Sequence, residues 1–205
     1  MITKPAGVSL VTGALLLAAC GGMTAGRSAS AFPNAVRAAA TPTTSAQPGA
    51  EFNDADVMFA QMMIPHHQQA VEMAELAETR ASDKEVKELA AKIKAAQDPE
   101  IQTMKGWLTD WGKPLPSGGM DQGMGHGMPG MMSAEDMKKL EDAKGSAFDK
   151  AFLQMMIVHH KGAITMARTE RERGKNPEAK QLADTIETGQ QAEVDQMQKI
   201  LARLQ

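Results

Sequence analysis

The strongest constraint on this chain is an internal duplication. Residues 52–108 align with residues 145–201 without a gap, and about 21 of the 57 positions are identical. FAQMMIPHHQQAVEMA (59–74) in the first copy becomes FLQMMIVHHKGAITMA (152–167) in the second. The identities continue through Arg80/Arg173, Leu89/Leu182, Ile93/Ile186, Gln97/Gln190, Glu100/Glu193, Met104/Met197 and Leu108/Leu201. Whatever one copy folds into, the other must fold into as well.

Each copy reads as two helices. Phe59, Met62, Met63, Ala70, Met73 and Ala77 recur at the 3.6-residue helical period, and Ile93, Met104 and Leu108 do so in the second half of the copy. Aromatic content is 3% with no Tyr, so the apolar material is mostly Ala, Leu, Ile and Met, which suits helices better than sheets. Ser82 with Glu85 predicts a capping box, and Asn176-Pro177 predicts an N-cap with a first-turn proline. The short links near Ser82 and Gly174 make each copy an antiparallel hairpin. A lone hairpin cannot bury both faces, so the expected fold is all-α: a four-helix bundle made of two duplicated antiparallel hairpins. Ser133 with Asp136 predicts an extra turn or an extension leading into the third long helix. Pro65 directly precedes His66 and predicts a bend there. Val158 and Ala192 stand where the first copy has Pro65 and Pro99, so the halves need not be equivalent.

The N-terminal region reads as an address. Lys4 precedes an apolar run from Val8 to Ala19, too short to span a bilayer and patterned like a secretory signal. Its ending, Leu17-Ala18-Ala19-Cys20, resembles a bacterial lipobox, in which cleavage leaves a lipid-modified cysteine as the new N-terminus. An ordinary signal with an incidental Cys20 is the alternative. Cys20 is the single cysteine, which excludes intrachain disulfides and thiolate metal cages. The expected organisation is a signal over 1–20, a flexible Ala/Ser/Thr/Pro/Gly spacer over 21–50 and a bundle over 51–205. Within the bundle, hairpin one covers 52–112, a Met/Gly/His-rich loop 113–132 and hairpin two 133–205. A net charge of −3 gives no basic footprint for nucleic acid.

Four of the five histidines lie in the two His-His pairs, His66-His67 and His159-His160. At about 100° per residue, His66 sits at the centre of its helix's apolar stripe, and His67 lies near the edge. On the partner helix Gln97 and Met104 sit mid-stripe, with Glu100 about 60° away. The same holds for His159, Met156 and Met166 against Gln190, Met197 and Glu193. One histidine or methionine at such spacing is ordinarily core packing. Several buried imidazoles with amides and carboxylates in both halves would be costly without a compensating partner, and a metal ion supplies one. The expected ligands are His66, His67, Met63, Met73 and Met104 with His159, His160, Met156, Met166 and Met197. Gln97, Glu100, Gln190 and Glu193 would orient the imidazoles from behind.

The donors select the metal. Di-iron bundles use Glu-x-x-His, but Met63, Ile64, Met156 and Ile157 stand three residues before the histidines. Zinc favours His with Cys or carboxylate, and there is no C-x-x-C-H for haem. Mixed His and Met fit copper, as Cu(I) or Cu(II), with silver as a mimic. Between the hairpins, SGGMDQGMGHGMPGMM (117–132) places Met120, Met124, His126, Met128, Met131 and Met132 among glycines. Core packing does not explain methionine there, and the run resembles the Met-rich tracts of exported copper-handling proteins.

The two HH-x-x-A-x-x-MA segments, each followed by I-x-x-x-Q-x-x-E-[IV]-x-x-M, resemble bacterial domain-of-unknown-function family 305. The resemblance spans about 52–204. It implies a ferritin-like four-helix bundle and an exported copper-binding protein. In its motif His66, His67, Met73, His159, His160 and Met166 are metal-site positions, faced by Gln97, Glu100, Met104, Gln190, Glu193 and Met197. The expected role is copper buffering, storage or transfer by a protein tethered to the cell envelope through Cys20. A copper-transfer protein and a second copy of the chain are the partners this leaves open. No catalytic motif is present. A metalloenzyme or electron carrier using the same bundle, and a metal-free structural module, are the alternatives.

Overall fold

The computed structural model describes residues 51–116 and 128–205. The signal, Cys20, the spacer, and Met120, Met124 and His126 of the loop lie outside them. Among the described residues there are five helices and no strand: α1 (Asp54–Arg80), α2 (Lys84–Asp110), α3 (Ala134–Asp142), α4 (Gly145–Arg173) and α5 (Pro177–Arg203). The long four form the bundle expected from the duplication, α1 pairing with α2 and α4 with α5, and the hairpins meeting chiefly along α1 and α4.

Capping residues set the helix ends. Asn53 accepts from Ala55 N and Asp56 N while Asp56 accepts from Asn53 N, a reciprocal box that starts α1. Asn176 caps α5 with Pro177 in the first turn, as expected. The expected Ser82–Glu85 box is not what starts α2: Asp83 is the N-cap, accepting from Glu85 N and Val86 N. Ser82 instead gives both its backbone N–H and its hydroxyl to Asp149 of α4. Ser133 caps α3, a separate nine-residue helix rather than an extension of α4. α1 and α2 continue through Pro65 and Pro99.

The two hairpins are clamped reciprocally by equivalent aspartates. Asp149, near the start of α4, accepts from Ser82 N (3.0 Å) and Asp83 N (3.0 Å) in the α1–α2 link. Asp56, its counterpart in α1, accepts from Lys175 N (3.1 Å) and Asn176 N (2.9 Å) in the α4–α5 link. Both aspartates are almost fully buried. Each neutralises backbone N–H groups that a helix start leaves unpaired, favoured also by the helix dipole. These clamps make α1 and α4 antiparallel, so the connection from α2 to α4 must travel the length of the bundle, as in ferritin-like folds. Three side chains of α1 hold that connection in succession: Gln61 donates to Pro114 O (3.0 Å), Gln69 to Met132 O (2.9 Å) and Arg80 to Glu141 O (2.6 Å).

The core is split in two. One apolar cluster contains Met73, Ile93, Phe152, Met156, Val194 and Met197, and the other Phe59, Met63, Ile101, Met104, Met166 and Ile186. Along every long helix the buried side chains between the two clusters are polar: His66, His67 and Gln69 on α1, Gln97 on α2, His159 and His160 on α4 and Gln190 on α5. A buried polar layer therefore crosses the bundle at mid-height.

Candidate functional site: a buried histidine layer between two methionine clusters

All four histidines of the layer are fully buried, His67 included, although helical arithmetic put it at the edge of the stripe. Glu100 and Glu193 lie at its margin, with side chains 17% and 21% exposed. His67 Nε2 lies 2.7 Å from Glu100 Oε2, and His160 Nε2 lies 2.7 Å from Glu193 Oε2, the same contact repeated in each half. His66 Nε2 lies 3.1 Å from the carbonyl oxygen of Pro129, at the end of the Met-rich loop. A carbonyl only accepts, so His66 must carry its proton on Nε2, and Nε2–H facing a carboxylate is the matching arrangement in the other two. On His66 this leaves Nδ1 as a bare acceptor, and in all three rings Nδ1 is buried with no partner within the protein. His159 has no partner at either nitrogen, and its ring lies tilted at 38° against that of His66 with centroids 3.8 Å apart.

Burial governs the electrostatics. Loss of hydration, followed by the nearby His67, holds the His66 pKa down at about 3, the Pro129 carbonyl opposing the shift. Burial and then His66 itself keep His159 well below the ordinary imidazole range. Neutral imidazole is the form that binds a metal. Gln97 is buried with neither side-chain atom paired within the protein, and Gln190 leaves its Oε1 unpaired. Native interiors rarely leave so many buried polar atoms in one layer without a ligand to meet them.

The methionines flank this layer in two equivalent trios. Met63 and Met104 of hairpin one join Met166 of hairpin two in one cluster, while their counterparts Met156 and Met197 join Met73 in the other. All six are buried, Met166 the least so at 8% exposed. Met132 packs against the Met73/Met156/Met197 cluster. Among the described residues no three His, Cys, Asp or Glu side chains converge to hold an ion, and the donors that border the imidazoles along the bundle are thioethers. Such a donor set suits Cu(I).

Sequence reasoning placed the four histidines, six methionines, two glutamines and two glutamates in this region. It missed the Pro129 carbonyl, Gln69 and Gly162. One signal for the last two was available: HHQQA and HHKGA differ at this position, Gln69 standing where the second copy has Gly162. Away from the layer, Glu170 is buried beside Asp56, and burial followed by that carboxylate pushes its pKa up to about 8.

Known proteins share this architecture. CopM in its Cu(II)-bound form is 38% identical, matching 73% of this chain and 97% of its own with a TM-score of 0.65, and it has also been solved with Cu(I) and with Ag. A DUF305 protein of Streptomyces coelicolor, named as a candidate secreted protein, is 38% identical over 73% of this chain and 93% of its own, with a TM-score of 0.66. A curated relative, the uncharacterized protein L153 of Acanthamoeba polyphaga mimivirus, is 47% identical over 53 residues, which are 26% of this chain and 35% of that protein. The chain thus spans about a third of the length of the curated relative it matches. The family model described as "Domain of unknown function (DUF305)" matches residues 56–201. The chain belongs to the DUF305 family.

Proposed function

We propose that this protein binds copper in its histidine layer, and that it buffers, stores or transfers the ion rather than catalysing a reaction. The observation that carries this reading is the set of buried, unpaired Nδ1 atoms on His66, His67 and His160. Each lies on a ring held from behind by an oxygen at Nε2, and methionine trios flank the layer on both sides. An oxygen behind the ring raises the basicity of the opposite nitrogen and fixes its direction. Buried neutral imidazole and thioether suit Cu(I), while added imidazole suits Cu(II). The copper- and silver-bound states of CopM support the same reading by similarity. His66, His67, His159 and His160 with Met63, Met73, Met104, Met156, Met166 and Met197 would hold the ion, and Glu100 and Glu193 would orient the rings. Met120, Met124, His126, Met128, Met131 and Met132 would capture it.

The protein would act outside the cytoplasm, anchored through a lipid on Cys20. The candidate secreted relative supports an extracytoplasmic location. No helix among the described residues is long and apolar enough to cross a membrane, so tethering would fall to the N-terminal region. The test is an anaerobic Cu(I) titration against a competing chelator, with and without all four histidines changed to Ala. Tight binding that falls sharply in the variant supports the reading. Equal binding in both would move copper to the Met-rich loop.

A further inference from the structure

The end of the Met-rich connection is built onto the histidine layer at one position of the repeat. Gln69 pairs with both backbone polar atoms of Met132, donating to its carbonyl (2.9 Å) and accepting from its N–H (2.7 Å). Gln69 is itself buried. On α4 the equivalent residue is Gly162, where a Cβ would overlap the Pro129 carbonyl. Gly130, at φ 80°, approaches the α4 backbone so closely that a Cβ there would lie 2.7 Å from Val158 O and 2.9 Å from His159 O. The duplication has thus diverged where the connection crosses: a glutamine on α1 grips it and a glycine on α4 admits it. The consequence reaches the rings. Pro129 O meets His66 Nε2, whereas His159, the repeat counterpart of His66, has no such partner.

We propose that Gln69 is a positioning residue for copper: it latches the 128–132 strap over the layer, so that the Pro129 carbonyl fixes the His66 tautomer with Nδ1 bare. The inference rests on the copper reading and deepens it by making the two halves of the site unequal. The His66 ring is oriented by a strap, while the His67 and His160 rings are oriented by carboxylates. The same latch sets the backbone of Met132, whose side chain joins the Met73/Met156/Met197 cluster. The end of the methionine tract is therefore joined to that thioether trio.

Two substitutions release the strap from opposite sides, and neither alters a proposed ligand. Gln69→Ala removes the grip. Gly162→Ala closes the gap with a residue that favours the helix by about 1 kcal/mol, so a loss of function would not stem from a weakened α4. Long-range 1H–15N spectra of the metal-free protein read the tautomer. His66 should show protonated Nε2 in the unsubstituted protein and a mixture in both variants. Cu(I) affinity by chelator competition should fall at least tenfold in both, within the range seen when a group behind a metal-binding histidine is lost. In a His66→Ala background, Gln69→Ala should cost less affinity than it does in the unsubstituted protein. An unchanged tautomer and affinity in both variants would overturn the proposal, as would an equal further loss in the His66→Ala background. Absence of Cu(I) binding by the unsubstituted protein would instead overturn the copper reading. That failure is distinguishable, because the tautomer would still change in the variants.

Discussion

The rings of His66 and His159 meet at a tilt with centroids 3.8 Å apart, each the counterpart of the other in the duplicated sequence. Related residues of two copies meet where the copies face each other, so this contact marks the centre of the bundle's internal symmetry. Two imidazoles this close and this buried cannot both be charged.

Acid should therefore weaken the metal-free protein. His66 is neutral in the folded state down to about pH 3, whereas in the unfolded chain it takes up a proton near 6.5. His159 is shifted in the same direction. A depressed folded-state pKa gives stability that is complete above the unfolded value and is lost as pH falls from about 6.5 toward the folded one. The expected slope is up to about 1.4 kcal/mol per pH unit for each such histidine. Urea midpoints at pH 7, 5.5 and 4.5 measure it, and a midpoint that does not move over this range contradicts the burial argument.

His159→Leu should stabilise the metal-free protein while impairing copper binding. Neither ring nitrogen of His159 has a partner within the protein, and an unsatisfied buried polar group costs about 1–3 kcal/mol. A higher melting temperature without metal, together with a smaller rise on adding Cu(I), is the expected pair of results. A lower melting temperature without metal would show that His159 is an ordinary packed residue.

Glu100→Ala and Glu193→Ala should lower Cu(I) affinity by similar factors, about 10- to 100-fold, because the two carboxylates make the same 2.7 Å contact in equivalent halves. Chelator competition on each variant checks this. A large effect from one and none from the other would confine copper to a single half.

Much of this was legible in the sequence. The period of apolar residues gave the helices, the ungapped repeat gave the paired hairpins, and the His-His, Gln and Glu positions gave the polar layer. Residues that act across long sequence separations were not legible. Asp56 and Asp149 look like ordinary acids near helix starts, but each caps the other hairpin's link, and nothing local says which backbone a buried carboxylate will meet. Ser82 with Glu85 had the spacing of a capping box, yet Asp149 takes the serine and Asp83 takes the cap. Gln69 and Gly162 look like a routine mismatch until the strap is seen between them.

Glu170 gives an opposing pH response. Its folded pKa of about 8 lies above the ordinary carboxyl value of 4.5, so the stability it contributes is present below 4.5 and declines as pH rises toward 8. Glu170→Gln keeps the shape and removes the charge. The variant should melt at a higher temperature than the unsubstituted protein at pH 8.5, and the difference should shrink at pH 5. The same difference at both values would mean that the carboxyl is not protonated in the fold.

Copper bound as proposed would sit in the bundle, on imidazole and thioether together. X-ray absorption at the copper edge tests it most directly, on protein loaded anaerobically with one equivalent of Cu(I). The expected first coordination sphere contains both nitrogen and sulfur scatterers, with the nitrogen contribution lost when His66, His67, His159 and His160 are changed to Ala. A sphere of sulfur alone, unchanged by those substitutions, would contradict it.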